Sequence, residues 1–345
     1  MSGSDMSTGG SNSVATKAFR LTASLAVGVL AATGLGACSS PAPKVLVHAS
    51  PKPVVLSVNP LTGLTPSPTG PVIAVKVDDT EPGRPSMGLE KSDVIYIEEA
   101  EGGESRMVAV FASAKPQVRA VRSVRASDPE LLGAYGKIVL VASGGGGSAL
   151  PTLDRSGLWS SINDRNQVGF YRDTSRAAPY NLVSDLAKVS AAIKGAGVRN
   201  VGFTWAAVDR RLAAAKAALS VRTLVGSTPV TFVWDPKLAR YVRTVDGRRI
   251  LAASGAPIAK PNVLVQYCQI TQDRSDVDVL GNPSMYTKSV GTGRVVLFCN
   301  GRRIEGTWSR LSKGAPTAYK DAAGKPLLFA RGGIFVALVR PGAPA

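Results

Sequence analysis

The stretch Val118–Gly147, VRAVRSVRASDPELLGAYGKIVLVASGGGG, constrains the fold more than any other part of this sequence. Within it, Lys137-Ile-Val-Leu-Val-Ala142 is apolar, β-branched and too short for a buried helix, so it reads as a buried strand ending in the glycines Gly144 to Gly147. Upstream, Ser127-Asp128-Pro129-Glu130 is a Ser-x-x-Glu capping box with proline at an early helical position, which predicts a helix start. A helix followed at once by a buried strand demands a sheet with a second layer on it. Arg119, Arg122 and Arg125 stand just before that helix. Arginines beside a helix N-terminus, with a glycine-rich strand end nearby, are the parts from which anion sites are made.

Around this stretch the signals alternate between strand and helix. Residues 72–77, 93–98 and 106–111 read as strands, the first ending in Asp78-Asp79. Leu182, Val183, Leu186, Val189 and Ile193 recur at helical spacing and predict an amphipathic helix over 181–196. Residues 200–204 read as a further strand and 209–219 as an alanine-rich helix. Beyond residue 219 the pattern is β only, with strands at 231–234, 241–243, 262–268 and 334–339 and a turn at Asp246-Gly247. Asn300-Gly301 between two apolar runs is a strong hairpin signal. The expected fold is therefore α+β: an N-terminal α/β-type sheet domain flanked by helices over 71–221, then a mainly antiparallel β domain over 222–345, as a twisted sheet or small barrel. Trp234 and Trp308 read as core packing ahead of a carbohydrate-stacking platform.

The N-terminus reads as an address. Lys17 and Arg20 precede an uninterrupted apolar and small-residue run from Leu21 to Ala37, which predicts a signal peptide over 1–37. The run closes on Leu35-Gly36-Ala37-Cys38, which resembles a bacterial lipobox, with Cys38 the residue that takes the diacylglycerol thioether. Residues 38–70 would then be a Pro/Ser/Thr-rich tether holding the folded part off the bilayer. No twin arginine is present, so export is expected by the general secretory route. In an oxidising compartment Cys268 and Cys299, each ending an apolar β-like run, are expected to form a disulfide between neighbouring strands, with two buried thiols as the alternative.

The formal net charge of +17 points to acidic surroundings such as anionic lipid headgroups or an anionic envelope polymer. The basic residues are scattered and aromatics make up 6%, which together with export argues against nucleic acid. His48 is the sole histidine and lies in a proline-rich segment, so Ser-His-Asp, Cys-His and His-ligated zinc chemistry lack a participant. No cofactor, metal site or catalytic residue is expected. Polar clusters lie at the strand ends, where such sheets place ligands. Adjacent Asp78 and Asp79 face opposite ways on a strand, so at most one is expected to enter a cleft. Glu98, Glu99, Glu101, Glu104 and Arg106 surround Gly102-Gly103, either as a solvated hairpin turn or as partners of the arginines.

Several blocks together resemble the YerB-like bacterial lipoproteins, a family with a two-part domain of unknown function. They are Asn59-Pro60-Leu61-Thr62-Gly63-Leu64, Arg84-Pro85-Ser86-Met87-Gly88-Leu89 followed by Asp93-Val94-Ile95-Tyr96, Glu101-Gly102-Gly103-Glu104-Ser105-Arg106 and Val121-Arg122-Ser123-Val124-Arg125. Gly306-Thr307-Trp308 fits the second part. The chain departs from the pattern at Ala142-Ser143, where the resemblance implies a histidine, so any role of that histidine cannot be exercised here. The expected function is a lipid-anchored module on the extracytoplasmic face of the cell membrane that binds an anionic ligand through Asp78, Asp79, Arg106, Arg122 and Arg125. The rival is an envelope phosphotransferase acting on a polyprenyl-linked pyrophosphate, with Asp78 or Asp79 holding a divalent cation and Arg122 and Arg125 stabilising charge. Binding outranks catalysis because no nucleophile stands beside an activating base.

Overall fold

The computed structural model describes residues 57–345 apart from Val279. The signal peptide, Cys38 and most of the tether lie outside the described residues. No helix among the described residues is long and apolar enough to cross a membrane.

The architecture is β-rich and is organised by one eleven-stranded mixed sheet. From one edge its strands run Lys216–Ala217, Arg302–Arg310, Gly291–Cys299, Asn262–Tyr267, Ile334–Val339, Val94–Glu99, Ser105–Phe111, Ile73–Asp78, Val139–Ala142 and Trp159–Ile162, with Ala318–Asp321 paired beside Arg302–Arg310. Strand Ile334–Val339 lies in the middle, parallel both to Asn262–Tyr267 (Asn262 opposite Ile334) and to Val94–Ile97 (Val94 opposite Ile334). Residues from both sides of residue 221 therefore hydrogen-bond into the same sheet.

The central strands are buried at every position, which is why they read as unbroken apolar runs rather than alternating ones. Both faces must then be covered. On one face Ala74, Tyr96, Val108, Leu140, Leu264 and Val336 pack against the short helices Asp128–Leu132 and Ala149–Arg155 and against a cluster of Phe203, Tyr319 and Phe329. Trp308 belongs to this core, 3% exposed, with its indole N–H donating to the Tyr267 carbonyl at 2.9 Å. On the other face Ile73, Val75, Ile95, Val265 and Phe335 pack against a five-stranded sheet built from Ser220–Val225, Thr228–Asp235, Arg240–Val245, Arg248–Arg249 and Ala259–Lys260. Strand Ser220–Val225 keeps the strict alternation of a one-sided strand, with Val221, Thr223 and Val225 inward. The Asn300-Gly301 turn forms where expected, both residues at positive φ, between strands Gly291–Cys299 and Arg302–Arg310.

Three expectations are corrected. The periodic stretch 181–196 is not one helix: Leu182–Asp185 pairs as a strand with Gln117–Arg119, and the helix covers only Leu186–Ala192. Asp185 divides the two, its carboxylate accepting from the amides of Ala187 (3.1 Å) and Lys188 (3.2 Å), so an N-cap sat inside an apolar pattern that looked continuous. The alanine-rich 209–219 forms a 3-10 turn, Arg210–Ala213, and then an edge strand at Lys216–Ala217, because an isolated helix that short is marginal while the sheet edge offers partners. The strand expected at 200–204 lies instead at Thr204–Ala206, parallel to Leu328–Ala330.

The disulfide is a fourth correction. Cys268 and Cys299 are both free and buried. Their strands are neighbours as expected, but Cys299 lies opposite Asn262, six residues along the strand from Cys268. At about 3.3 Å per residue that offset is about 20 Å, far beyond the roughly 7 Å that a disulfide spans between Cα atoms. Burial pushes the Cys268 thiol up to about 12 and the Cys299 thiol up to about 11, so neither supplies a thiolate near neutrality.

Peptide mapping without reduction should recover no fragment linking Cys268 to Cys299; a linked pair would contradict this register. Phe335 is fully buried with its ring 4.8 Å from Phe232, joining the two sheets. Phe335→Ala should cost about 3–5 kcal/mol, and urea unfolding followed by both fluorescence and circular dichroism should stay a single transition because the two halves share one sheet.

Candidate functional site

The polar site begins where the alternation of the sheet carries charge inward. Ala74, Lys76 and Asp78 share one face of their strand, and Glu98 and Arg106 face the same way on the next two, with Arg106 opposite both Asp78 and Glu98. Asp79 and Glu99 turn to the other face. Asp79 accepts from both Nη atoms of Arg243 at 2.5 Å and from the Ser105 hydroxyl at 2.7 Å, while Glu99 accepts from Arg340 at 2.8 and 2.9 Å. Of the adjacent aspartates, Asp78 lies beneath the cleft described below, holding two of its arginines without lining it, while Asp79 lines a neighbouring cavity.

Beneath that cleft lies a buried ionic cluster. The Lys76 ammonium, fully buried, donates to Glu98 and to Asp128 Oδ1 (2.8 Å), and Asp128 Oδ2 accepts from the Arg125 amide at 2.7 Å. Burial opposes the Lys76 charge, but Asp128 and Glu98 outweigh it and hold the ammonium above its ordinary value. Burial pushes Glu98 up to about 7, against the pull of Lys76 and helped by neighbouring Asp128, and Glu98 Oε2 finds no partner among the described residues. Next to this cluster the Arg125 guanidinium pairs with Glu101, whose Oε1 also accepts from the Ser284 hydroxyl at 2.6 Å; that hydroxyl lies 2.7 Å from Asp276 Oδ2. Burial works against the Glu101 charge, but Arg125 and Ser284 overcome it and hold the carboxyl down at about 2.

Above this floor opens a cleft of about 940 Å³. Its floor carries Arg106 and Arg122, one wall carries Asn163, Asp164 and Tyr180, and the other carries Glu101, Asp276 and Asn282. Arg106 Nη1 and Arg122 Nε both meet one oxygen, Asp78 Oδ2, at 2.9 and 3.0 Å. Two guanidiniums thus share one close carboxylate, with Glu104 on the rim as a more distant partner of Arg106 at 3.9 Å. Burial first, and then the Arg106 charge, hold the Arg122 guanidinium below its ordinary value despite Asp78. Its flat face lies 5.4 Å from the centre of the Tyr180 ring. Arg106 is only 7% exposed and lines the cleft; besides its hydrogen bond to Asp78, its Nη1 has Glu104 Oε2 at 3.9 Å.

The glycine run closes the cleft rather than cradling an anion. A Cβ on Gly146 would lie 2.1 Å from Asp276 Oδ1, one on Gly144 would lie 1.9 Å from Asp164 Oδ2, and Gly147 at φ +47° would meet the Ser275 carbonyl at 2.2 Å. The strand end is therefore pressed against two carboxylates. Ser143, where the resemblance implies a histidine, lines the cleft with its hydroxyl 3.2 Å from that of Ser123.

Of the residues expected at the site, Asp78, Arg106, Arg122 and Arg125 converge here and Asp79 does not. Arg119 also turns away, pairing with Asp173. A cation held by Asp78 or Asp79, which the phosphotransfer reading needs, would have to displace donors: Asp78 Oδ1 accepts from the Thr80 amide at 2.7 Å while its Oδ2 takes two guanidiniums, and Asp79 is held by Arg243 and Ser105. No local pattern pointed to Tyr180, Asp164 and Asp276, which arrive from distant segments. Lys76 was visible only as one cation inside an apolar strand, a pattern that calls for a buried partner.

Residues 61–199 match the N-terminal domain, and residues 219–336 the C-terminal domain, of DUF3048, described as a protein of unknown function. The chain belongs to the DUF3048 family. It is 28% identical over 279 residues to YerB of Bacillus subtilis strain 168, named as a candidate lipoprotein; the match spans 77% of this chain and 80% of that one. The crystal structure of the Bacillus subtilis YerB protein superposes with a TM-score of 0.69 at 23% identity, covering 82% of this chain and 96% of the other. The DUF3048 fold is thus shared with a solved structure. Both matched domains contribute to the site: Arg106 and Arg122 come from the N-terminal one, Asp276 and Asn282 from the C-terminal one.

Glu98 gives a pH signature. Its folded value of about 7 exceeds its ordinary 4.5, so the folded state binds the proton more tightly, and its contribution is full at low pH and lost as pH rises through about 7. Urea midpoints measured from pH 5 to 8 should therefore fall with pH, and Glu98→Gln, which cannot ionise, should flatten that slope.

Proposed function

We propose that this protein is a lipoprotein, acylated at Cys38 and anchored on the extracytoplasmic face of the membrane, whose cleft binds an anionic group. The anchor is supported by the Leu35-Gly36-Ala37-Cys38 motif after an apolar run and by the lipoprotein name of the Bacillus subtilis relative. The ligand class rests on one observation: Arg106 and Arg122 share a single carboxylate oxygen and both line an open cleft. A carboxylate or phosphate there would take charge-assisted hydrogen bonds from both guanidiniums and relieve their mutual repulsion. Asp78 is the group that holds the pair in place, and Arg125, neutralised by Glu101, steadies the wall.

Titration calorimetry with inorganic pyrophosphate should show binding that weakens as salt is raised. Arg122→Ala, which leaves Asp78 still paired with Arg106, should lower the affinity at least tenfold while leaving the melting temperature of the free protein within a few degrees. Unchanged affinity in that variant would remove the reading. Separately, Cys38→Ser should abolish incorporation of labelled palmitate and move the protein from the membrane to the soluble fraction.

A further inference from the structure

A second cavity of about 610 Å³ lies beside the arginine cleft, and Glu104 lines both. The divider between them is the Glu101–Gly103 turn, which is clamped to the hairpin at 226–228. The Gly103 carbonyl accepts from the Ser227 amide (2.8 Å), the Ser227 hydroxyl (3.0 Å) and the Thr228 hydroxyl (3.2 Å). A Cβ on Gly103 would lie 2.5 Å from the Ser227 hydroxyl, so the clamp leaves no room for a side chain on the turn. Glu104, 55% exposed at its side chain, stands on the crest and is the residue that both linings share. Each is of the size that holds a small molecule, so together they exceed what one small anion fills.

The linings differ in chemistry. The arginine cleft offers a positive floor. The second cavity offers hydroxyls, from Ser220, Thr231 and Thr244, together with the guanidiniums of Arg84 and Arg222 and the carboxylates of Glu81 and Asp246. The Ser220 and Thr231 hydroxyls make no hydrogen bond, and Arg222 no ion pair, among the described residues. Hydroxyls interleaved with planar donors and acceptors match a polyol, whose every O–H both gives and takes a hydrogen bond. A uniformly charged polyanion would instead meet the carboxylates of Glu81, Glu104 and Asp246.

We infer that the two cavities are successive subsites for one acidic oligosaccharide, with an acidic residue of the chain on Arg106 and Arg122 and the following sugars passing over Glu104 into the hydroxyl-lined cavity. This rests on the anion reading of the cleft and adds to it the length and the hydroxyl chemistry of the ligand. Connected subsites make affinity grow with chain length until both are filled.

The test uses the acylated full-length protein in detergent, titrated with gluconic acid, maltotrionic acid and maltohexaonic acid as monomer, trimer and hexamer, each carrying one carboxylate at its oxidised reducing end, with maltohexaose as the uncharged chain and pyrophosphate as the bare anion. The hexamer should bind at least tenfold more tightly than the monomer, and maltohexaose far more weakly than the hexamer. Arg222→Ala, at an exposed position whose loss spares the core, should shrink the hexamer-to-monomer ratio toward one. Equal affinity for monomer and hexamer, with pyrophosphate binding still dependent on Arg122, would overturn this inference and leave the anion site standing. No Arg122-dependent binding of any anion would overturn both. Maltohexaose binding as tightly as the hexamer would overturn the assignment of the acidic group to Arg106 and Arg122.

Discussion

The structure depends on the parallel seating of Ile334–Val339 between Val94–Glu99 and Asn262–Tyr267. A strand with partners on both edges and cover on both faces has no solvated backbone, so each of its six residues is apolar and buried. Through it, two segments that the family pattern treats as separate domains become one sheet and share two continuous cores. The cleft is a consequence. Its floor belongs to strands of the first half and one wall to a hairpin of the second, and their relation is fixed by the sheet rather than by a linker.

Once the sheet is fixed, strand alternation distributes the charges. One residue of separation sends Asp78 and Asp79 into different environments, one beneath an open cleft and the other locked against Arg243 inside an inter-sheet core. Several of the buried charges here are satisfied in pairs, as a low-dielectric interior demands: Asp79 with Arg243, Glu101 with Arg125, Lys76 with Asp128. Arg106 and Arg122 depart from this one-to-one pattern by sharing one oxygen of Asp78, with Glu104 only at 3.9 Å from Arg106. That arrangement, beneath an open cleft, is the feature on which the proposed anion site rests.

Much of this was legible in the sequence because the central strands advertise themselves. Unbroken apolar runs such as Val139–Ala142 and Val108–Phe111 have few other fates, and Asn300-Gly301 specifies its hairpin almost alone. What could not be read was anything decided by tertiary competition. At Asp185 a helix cap interrupted a periodic pattern, and at Lys216–Ala217 a free sheet edge outbid a weak helix. Cys268 and Cys299 illustrate the limit of pattern for pairing: being on adjacent strands was inferable, but register, which separates them by six residues, is set by contacts along the whole strand. The arginines of the cleft were visible as a group, whereas their partition into Arg119 outside, Arg125 neutralised and Arg122 open required the positions of Asp173, Glu101 and Asp78.

The central place of Ile334–Val339 also bears on how such a chain comes to be folded at all. A polypeptide delivered across a membrane from its N-terminus would present residues 73–111 long before residue 334, and for that interval Val94–Glu99 and Asn262–Tyr267 would each have an unpaired edge with nothing to join them. Closure of the central sheet cannot precede arrival of that segment. For a chain exported as proposed, such an order of events would keep it loose for as long as it must remain threadable, and completion of transport would let the sheet close.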